Sequence, residues 1–141
     1  MKKIILLGFL LAGVFSFSFA QQADVSKVLK FTNDSYDFGT ITSGNPVKYQ
    51  ITITNIGSET VTIDNIQVGC HCTKPEYTQG EKIAPGAAIN ITLGFDAGVI
   101  GPFTRTATLY FNGGALSKSV VFRGKCVAAT SVAPPSTTNQ Q

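Results

Sequence analysis

The sequence predicts an all-β fold, an immunoglobulin-like antiparallel β-sandwich of about seven strands, and three observations carry that expectation. Apolar and polar residues alternate with a period of two over several segments, the signature of strands that bury one face. Threonine, isoleucine, valine and phenylalanine are abundant while tryptophan is absent, a bias toward strand-forming side chains. Clusters of glycine, proline and asparagine separate the alternating runs at the spacing of a sandwich.

The first twenty residues stand outside this pattern. Lys2 and Lys3 precede an apolar run from Ile4 to Phe19, and Ser18-Phe19-Ala20 precedes the polar pair Gln21-Gln22. A charged start, an apolar middle and a small residue before a polar stretch predict a cleavable signal peptide over 1–20, and so a periplasmic or secreted protein. The competing reading, a retained anchor, needs about 20 apolar residues with polar anchoring on the far side. A lipoprotein signal is disfavoured because Leu11-Ala12-Gly13 is followed by Val14 and not by cysteine. Loss of the leader leaves nine Lys and Arg against eight Asp and Glu. With no basic run, a nucleic-acid partner held by its phosphates is not expected. No second apolar segment has spanning length, so no transmembrane segment is expected in the mature chain.

Residues 21–27 read as an N-terminal linker and 28–127 as the sandwich. The opening strands run through Val28 to Phe31 and Tyr36 to Ile41. In Val47 to Thr54, the apolar set Val47, Tyr49, Ile51 and Ile53 faces one way and Lys48, Gln50, Thr52 and Thr54 the other. Ile89, Ile91, Leu93 and Phe95 alternate in the same manner with Asn90, Thr92, Gly94 and Asp96. From Val61 to Val68 the phase changes, because Val61 and Ile63 share one parity and Ile66 and Val68 the other. A bulge near Asp64-Asn65 would return both halves to the core. The run from Phe103 to Phe111 points Phe103, Ala107, Leu109 and Phe111 inward, with Arg105 on the apolar parity, as at a sheet edge or strand entry. The last run, Leu116 to Val127, points Leu116, Val120, Phe122 and Cys126 inward, with Lys118 near its start. Asn112-Gly113-Gly114 reads as a hairpin turn. Residues 128–141, with Pro134-Pro135 among small polar residues, lack the apolar surface to order themselves and are expected to form a disordered tail.

Five strings occur in an order that resembles a known family: Tyr36-Asp37-Phe38-Gly39-Thr40-Ile41, Ile53-Thr54-Asn55-Ile56-Gly57, Gly69-Cys70-His71-Cys72-Thr73, Ile83-Ala84-Pro85-Gly86 and Gly101-Pro102-Phe103. Together they resemble the bacterial family known as domain of unknown function 1573, which is similar to the abnormal-spindle and major-sperm-protein branch of immunoglobulin-like sandwiches. The resemblance spans about Tyr36 to Gly124. It implies an exported protein and brings no assigned activity. Members often carry Cys-Gly-Cys-Thr where this chain has Cys70-His71-Cys72-Thr73, and Cys126 lies outside the shared motif.

The cysteines hold the chemical potential of the chain. Cys70, Cys72 and Cys126 are the disulfide candidates, and any internal pairing leaves one thiol over. Two residues apart on an extended strand lie about 6.6 Å apart at Cα, whereas a bridge wants Cβ atoms about 3.8 Å apart. Cys70 can therefore reach Cys72 only if the chain turns. A bridge from Cys126 to Cys70 or Cys72 is the competitor, and closing the loop from Cys72 to Cys126 would restrain the unfolded chain by roughly 4 kcal/mol. As metal ligands, Cys70, His71 and Cys72 form a soft set suited to copper(I), and Cys126 would complete a zinc complement. The spacing is short for zinc, and on an extended strand His71 points away from both sulfurs. A thiol–disulfide redox protein is a further alternative, with His71 beside the sulfurs but no second histidine and no Cys-x-x-Cys at a helix start.

The remaining acids are scattered, and the sequon Asn90-Ile91-Thr92 lies within a strand. The sequence is thus best accounted for as an exported, non-catalytic binding or scaffold module of the bacterial cell envelope. It is expected to act on an envelope or surface protein through a sheet edge or end loops, with the cysteines as a staple and without a cofactor. Copper handling is the first alternative and thiol–disulfide exchange the second.

Overall fold

A computed structural model describes residues 23–130; the leader and the tail beyond residue 130 lie outside the described residues. Asp24 caps a short 3-10 turn, Val25–Lys27, in the segment read as linker. Nine strands follow: β1 (Leu29–Thr32), β2 (Ser35–Thr42), β3 (Val47–Asn55), β4 (Val61–Val68), β5 (Thr73–Glu76), β6 (Lys82–Ile83), β7 (Ala88–Phe95), β8 (Gly101–Phe111) and β9 (Leu116–Val127). They form two sheets, ordered β1-β3-β7-β5 and β2-β9-β8-β4-β6. The sandwich is the expected one; the two strands beyond the seven anticipated are the short β5 and β6.

Alternation places the core where the sequence predicts it. Tyr49, Ile51, Ile53, Ile91, Leu93 and Phe95 from one sheet meet Phe103, Ala107, Leu109, Phe111, Val120 and Phe122 from the other, all buried. The residues that alternate with them along the strands, among them Lys48, Gln50, Asn90, Thr104, Thr106 and Ser119, are exposed, so each sheet keeps one wet face. The phase change in β4 is a bulge: Ile63 opposes Phe111 and Asn65 opposes Tyr110, so Asp64 is the extra residue. Val61, Ile63 and Ile66 are all buried as a result. The displaced Asp64 carboxylate accepts hydrogen bonds from the Gly113 and Gly114 amides at 2.6 and 3.3 Å, fastening the β8–β9 turn.

One ladder departs from the antiparallel expectation. Asn33, at φ 65°, turns the chain between sheets, and β2 then runs parallel to β9. Gly39, also left-handed, sits in a bulge between Asp37 and Thr40. Its carbonyl packs over Gly124, where a Cβ would lie 2.9 Å from that oxygen and 2.8 Å from the Phe103 ring. Gly124 is therefore on the inward parity of β9 without a side chain, which leaves room for Phe103 to stack on Phe95 at 4.2 Å. On this flank Tyr36 stacks on Tyr49 at 4.8 Å.

The strand registers sort the loops into two groups. Val47, Phe95, Thr73, Gly101 and Cys126 lie toward one end, with the segments 43–46, 69–72 and 96–100. Asn55, Ala88, Leu29, Phe111 and Leu116 lie toward the other, with the segments 56–60, 84–87 and 112–115.

Candidate functional site

The end bearing residues 69–72 gathers the unusual side chains of the molecule. β4 finishes at Val68, and the chain does not stay extended: the Thr73 amide donates to the Cys70 carbonyl at 3.2 Å, closing a turn. The turn brings the Cα atoms of Cys70 and Cys72 to 5.2 Å, inside the range for a bridge, and the two sulfurs are bonded. Cys126 stays a free, buried thiol whose Sγ donates to the Ala97 carbonyl at 3.6 Å. A loop this short restrains the unfolded chain by only roughly 1–2 kcal/mol in the loop-entropy model. The bridge is accordingly a weak staple.

The two sulfurs sit in different surroundings. Cys72 packs against the hydrophobic core, its carbonyl accepts from the Asp96 amide at 3.1 Å, and its Sγ accepts from Arg105 Nε at 3.3 Å. Cys70 is partly exposed, with Thr73 Oγ1 at 3.6 Å from its Sγ, and His71 between them is exposed. Arg105 is held in turn by its Nη1 bond to the Thr104 carbonyl at 3.0 Å, and its guanidinium carbon lies 5.8 Å from the centre of the Phe95 ring.

Arg105 lies in the first half of β8, on a stretch that β4 does not reach, in keeping with the edge or strand entry expected. β8 is an inner strand, flanked by β9 and β4. The last β4 residue in register, Val68, opposes Ala107, so Arg105 lies past the end of β4. Its inward side chain covers Phe95 and meets the disulfide. Lys118 is similar: it points inward on β9, lies over Phe31 at 5.5 Å and pairs with Asp34 at 2.7 Å. Long cationic side chains can cap an apolar interior with their stems and keep their charge near water.

Next to the bridge runs the loop that joins β7 to β8. Its Asp96 carboxylate accepts from the Gly98 amide at 3.1 Å, and the Ala97 carbonyl accepts from Gly44 at 3.1 Å as well as from Cys126. Ala97 takes a left-handed backbone, φ 54°, that turns its own side chain fully inside. Beyond it Val99 and Ile100 are 61% and 62% exposed. The sequence reading passed over this pair, although two adjacent aliphatics outside any alternating run are a visible signal.

Sheet edges offer less than expected. β5 carries Pro75, which has no amide hydrogen to give, and β6 has two residues. Alongside the rest of β4, Tyr77 Oη accepts from the Ile66 amide at 3.2 Å. β2 is broken by the bulge at Gly39, whose amide donates to Asp37 Oδ1 at 2.8 Å. That bond and the Arg123 guanidinium, 3.0 Å away, hold the Asp37 carboxyl below its usual range.

Two surface hollows complete the picture. One is lined by Asp37, Gly39, Phe103, Arg123 and Lys125, the other by Lys48, Lys74, Glu76 and Gly94. Each contains an ion pair of exposed groups, Asp37 with Arg123 and Lys48 with Glu76. Among the described residues no group of three or more His, Cys, Asp or Glu side chains is placed to hold a metal ion. No helix among the described residues is long and apolar enough to cross a membrane.

Several solved structures share this architecture. The ASH/PapD-like domain of human CEP192 (PapD-like domain 7) aligns with a TM-score of 0.62 at 10% identity, over 73% of this chain and 87% of that one. A protein of unknown function from Porphyromonas gingivalis W83 aligns at 0.58 with 17% identity, over 70% of this chain and 46% of the other. This chain therefore spans less than half of that protein. WR4, a C. elegans MSP family member, aligns at 0.53 with 3% identity, over 72% of this chain and 99% of that one. None of the curated proteins matches in sequence. At these identities the likenesses establish an immunoglobulin-like fold and nothing finer. The family model described as "Protein of unknown function (DUF1573)" matches residues 29–126, which bears out the resemblance carried by the five motifs: the chain belongs to that family.

Proposed function

We propose that the protein is an exported, non-catalytic binding or scaffold module of the bacterial cell envelope that holds a protein partner through the loops at its disulfide end. The observation that carries this is the pair Val99 and Ile100, two large aliphatic side chains more than half exposed on a loop anchored by hydrogen bonds to Cys72 and Gly44. A rigid loop that presents apolar side chains to water is suited to contact with another surface. Three of the four edge strands, β2, β5 and β6, are blunted, which favours loop contact over strand addition. Export rests on the Lys2-Lys3, Ile4–Phe19 and Ala20 pattern of the leader.

The test uses the full chain expressed in its own bacterium. Periplasmic or extracellular protein beginning at Gln21 supports export, and cytosolic protein beginning at Met1 contradicts it. Crosslinking in the cell, followed by a comparison of the native chain with the double variant Val99→Asp, Ile100→Asp, addresses binding. A partner lost from the variant supports the loop surface; equal recovery by both chains, or none by either, contradicts it.

A further inference from the structure

We infer that the Cys70–Cys72 disulfide is a reducible switch that exchanges with a dithiol protein, Cys70 being the sulfur attacked and Cys72 the sulfur released onto Arg105. Neither the fold nor the proposed binding role requires this chemistry; it follows from how differently the two sulfurs are held.

Three observations converge. The bridge spans only two positions in sequence, so it contributes little as a constraint on the chain. Both sulfurs belong to partly exposed residues in a loop, where an incoming thiol has access. Only Cys72 is packed on the core and bonded to a guanidinium, while the sulfur of Cys70, equally half-buried, has the Thr73 hydroxyl beside it and no charged group.

Thiol–disulfide exchange needs a thiolate to attack one sulfur and a second sulfur to depart with the electron pair. A thiolate of the partner dithiol attacks Cys70 Sγ; a bond forms between them, the Cys70–Cys72 bond breaks, and the electron pair leaves on Cys72 Sγ. That sulfur is already within 3.3 Å of Arg105 Nε, a permanently charged donor suited to a thiolate. The second thiol of the partner then loses its proton to solvent and attacks the partner's own sulfur in the mixed disulfide. Cys70 departs as a thiolate and takes a proton from water. The partner leaves as a disulfide, oxidised by two electrons, and this chain is left reduced, with Cys70 a thiol and Cys72 a thiolate beside Arg105.

The reverse polarity lacks such support. Attack at Cys72 would have to approach the core-packed sulfur, and Cys70 would leave with only Thr73 Oγ1 beside it, at 3.6 Å. The other charged groups at this end do not replace Arg105. His71 is exposed, the Asp96 carboxylate is turned to the Gly98 amide, and Lys74 lies on the outer face of β5 beside Gly94.

The test treats the oxidised full chain briefly with reduced glutathione, a monothiol whose second step needs another molecule and is therefore slow, and traps free thiols with N-ethylmaleimide before peptide mapping. The expected result is glutathione on Cys70 and maleimide on Cys72, with Cys126 unmodified while the fold persists. Predominant glutathione on Cys72, or no adduct in the folded protein, overturns the proposal. In parallel, the rate of reduction by dithiothreitol is expected to fall roughly tenfold in Arg105→Gln and to be largely retained in Arg105→Lys, since a better-stabilised leaving thiolate departs faster. Equal rates in the native chain and Arg105→Gln would also overturn it. The mapping on the native chain stands without either variant, should Arg105→Gln fail to fold.

Discussion

At the end of the sandwich where β3 finishes, Asn55 is fully buried and all of its polar groups are used. Its Nδ2 donates to the carbonyls of Glu59 and Ile83 at 2.7 and 2.8 Å, and its Oδ1 accepts from the Gly57 amide at 2.9 Å. Its own amide and carbonyl bond to Ala87 and Gly86, each at 2.9 Å, so one side chain and one peptide tie the β3–β4 turn to the β6–β7 turn. At the opposite end the closure is a two-residue disulfide, an arginine over a ring and a loop that leaves Val99 and Ile100 in water. The first end is built from satisfied buried hydrogen bonds, which are costly to break and chemically inert. The second has a bond that can be exchanged and a surface that can be covered. In the proposed reading, stability and function are thus separated to opposite ends of one small domain.

The largest expected effect tests the inert end. Asn55→Ala leaves the Ile83 and Glu59 carbonyls without the Nδ2 donor and the Gly57 amide with the Val28 carbonyl as its remaining acceptor, and the cost should be about 3 kcal/mol in urea unfolding. A loss below about 1 kcal/mol would mean that the turns at this end are held by something other than Asn55.

The seam between the two ends gives the next effect, through pH. Burial pushes the Tyr49 phenol up to about 12, with the Asp34 carboxylate adding to the shift, and its hydroxyl has no hydrogen-bond partner among the described residues. An acid whose folded value lies above its unfolded value near 10 holds its proton more tightly in the native state. Stability is therefore complete below about pH 10 and is lost as pH rises toward 12, by roughly 2 kcal/mol. Tyr49→Phe should remove this alkaline loss and, because it deletes an unpaired buried hydroxyl, leave neutral stability unchanged or up to about 1 kcal/mol higher. Unfolding midpoints at pH 9 and pH 11.5 for both chains check the prediction.

The smallest effect belongs to the chemical end. Cys70→Ser with Cys72→Ser should cost only about 1–2 kcal/mol, less than Asn55→Ala, because the loop removed is so short. A loss larger than that of Asn55→Ala would make the bridge a structural staple after all.

Much of this fold was legible in the sequence because burial on one face of a strand imposes alternation. Val47 to Thr54 and Ile89 to Asp96 read without ambiguity, and the phase slip near Asp64-Asn65 marks the bulge in the sequence alone. β5 and β6 were missed because four residues with a proline, or two residues, are too short to show a period. The parallel ladder between β2 and β9 depends on a crossing at Asn33 that alternation does not encode. At the site, the sequence located Cys70, His71 and Cys72 but left the pairing open, since it depends on whether the chain turns after Gly69. It marked Arg105 as out of place without showing what it met, because the shortness of β4 relative to β8 is a property of the assembled sheet. The burial of Asn55 follows from packing of two turns distant in sequence, which alternation does not encode.

Amide hydrogen exchange on the oxidised and dithiothreitol-reduced full chain tests the separation of the two ends most directly. Reduction is predicted to raise exchange in 69–73 and 96–100 while Asn55, Gly57, Gly86 and the centres of β3, β7 and β8 keep their protection. Loss of protection throughout the sandwich on reduction, or no change at the disulfide end, would contradict the account.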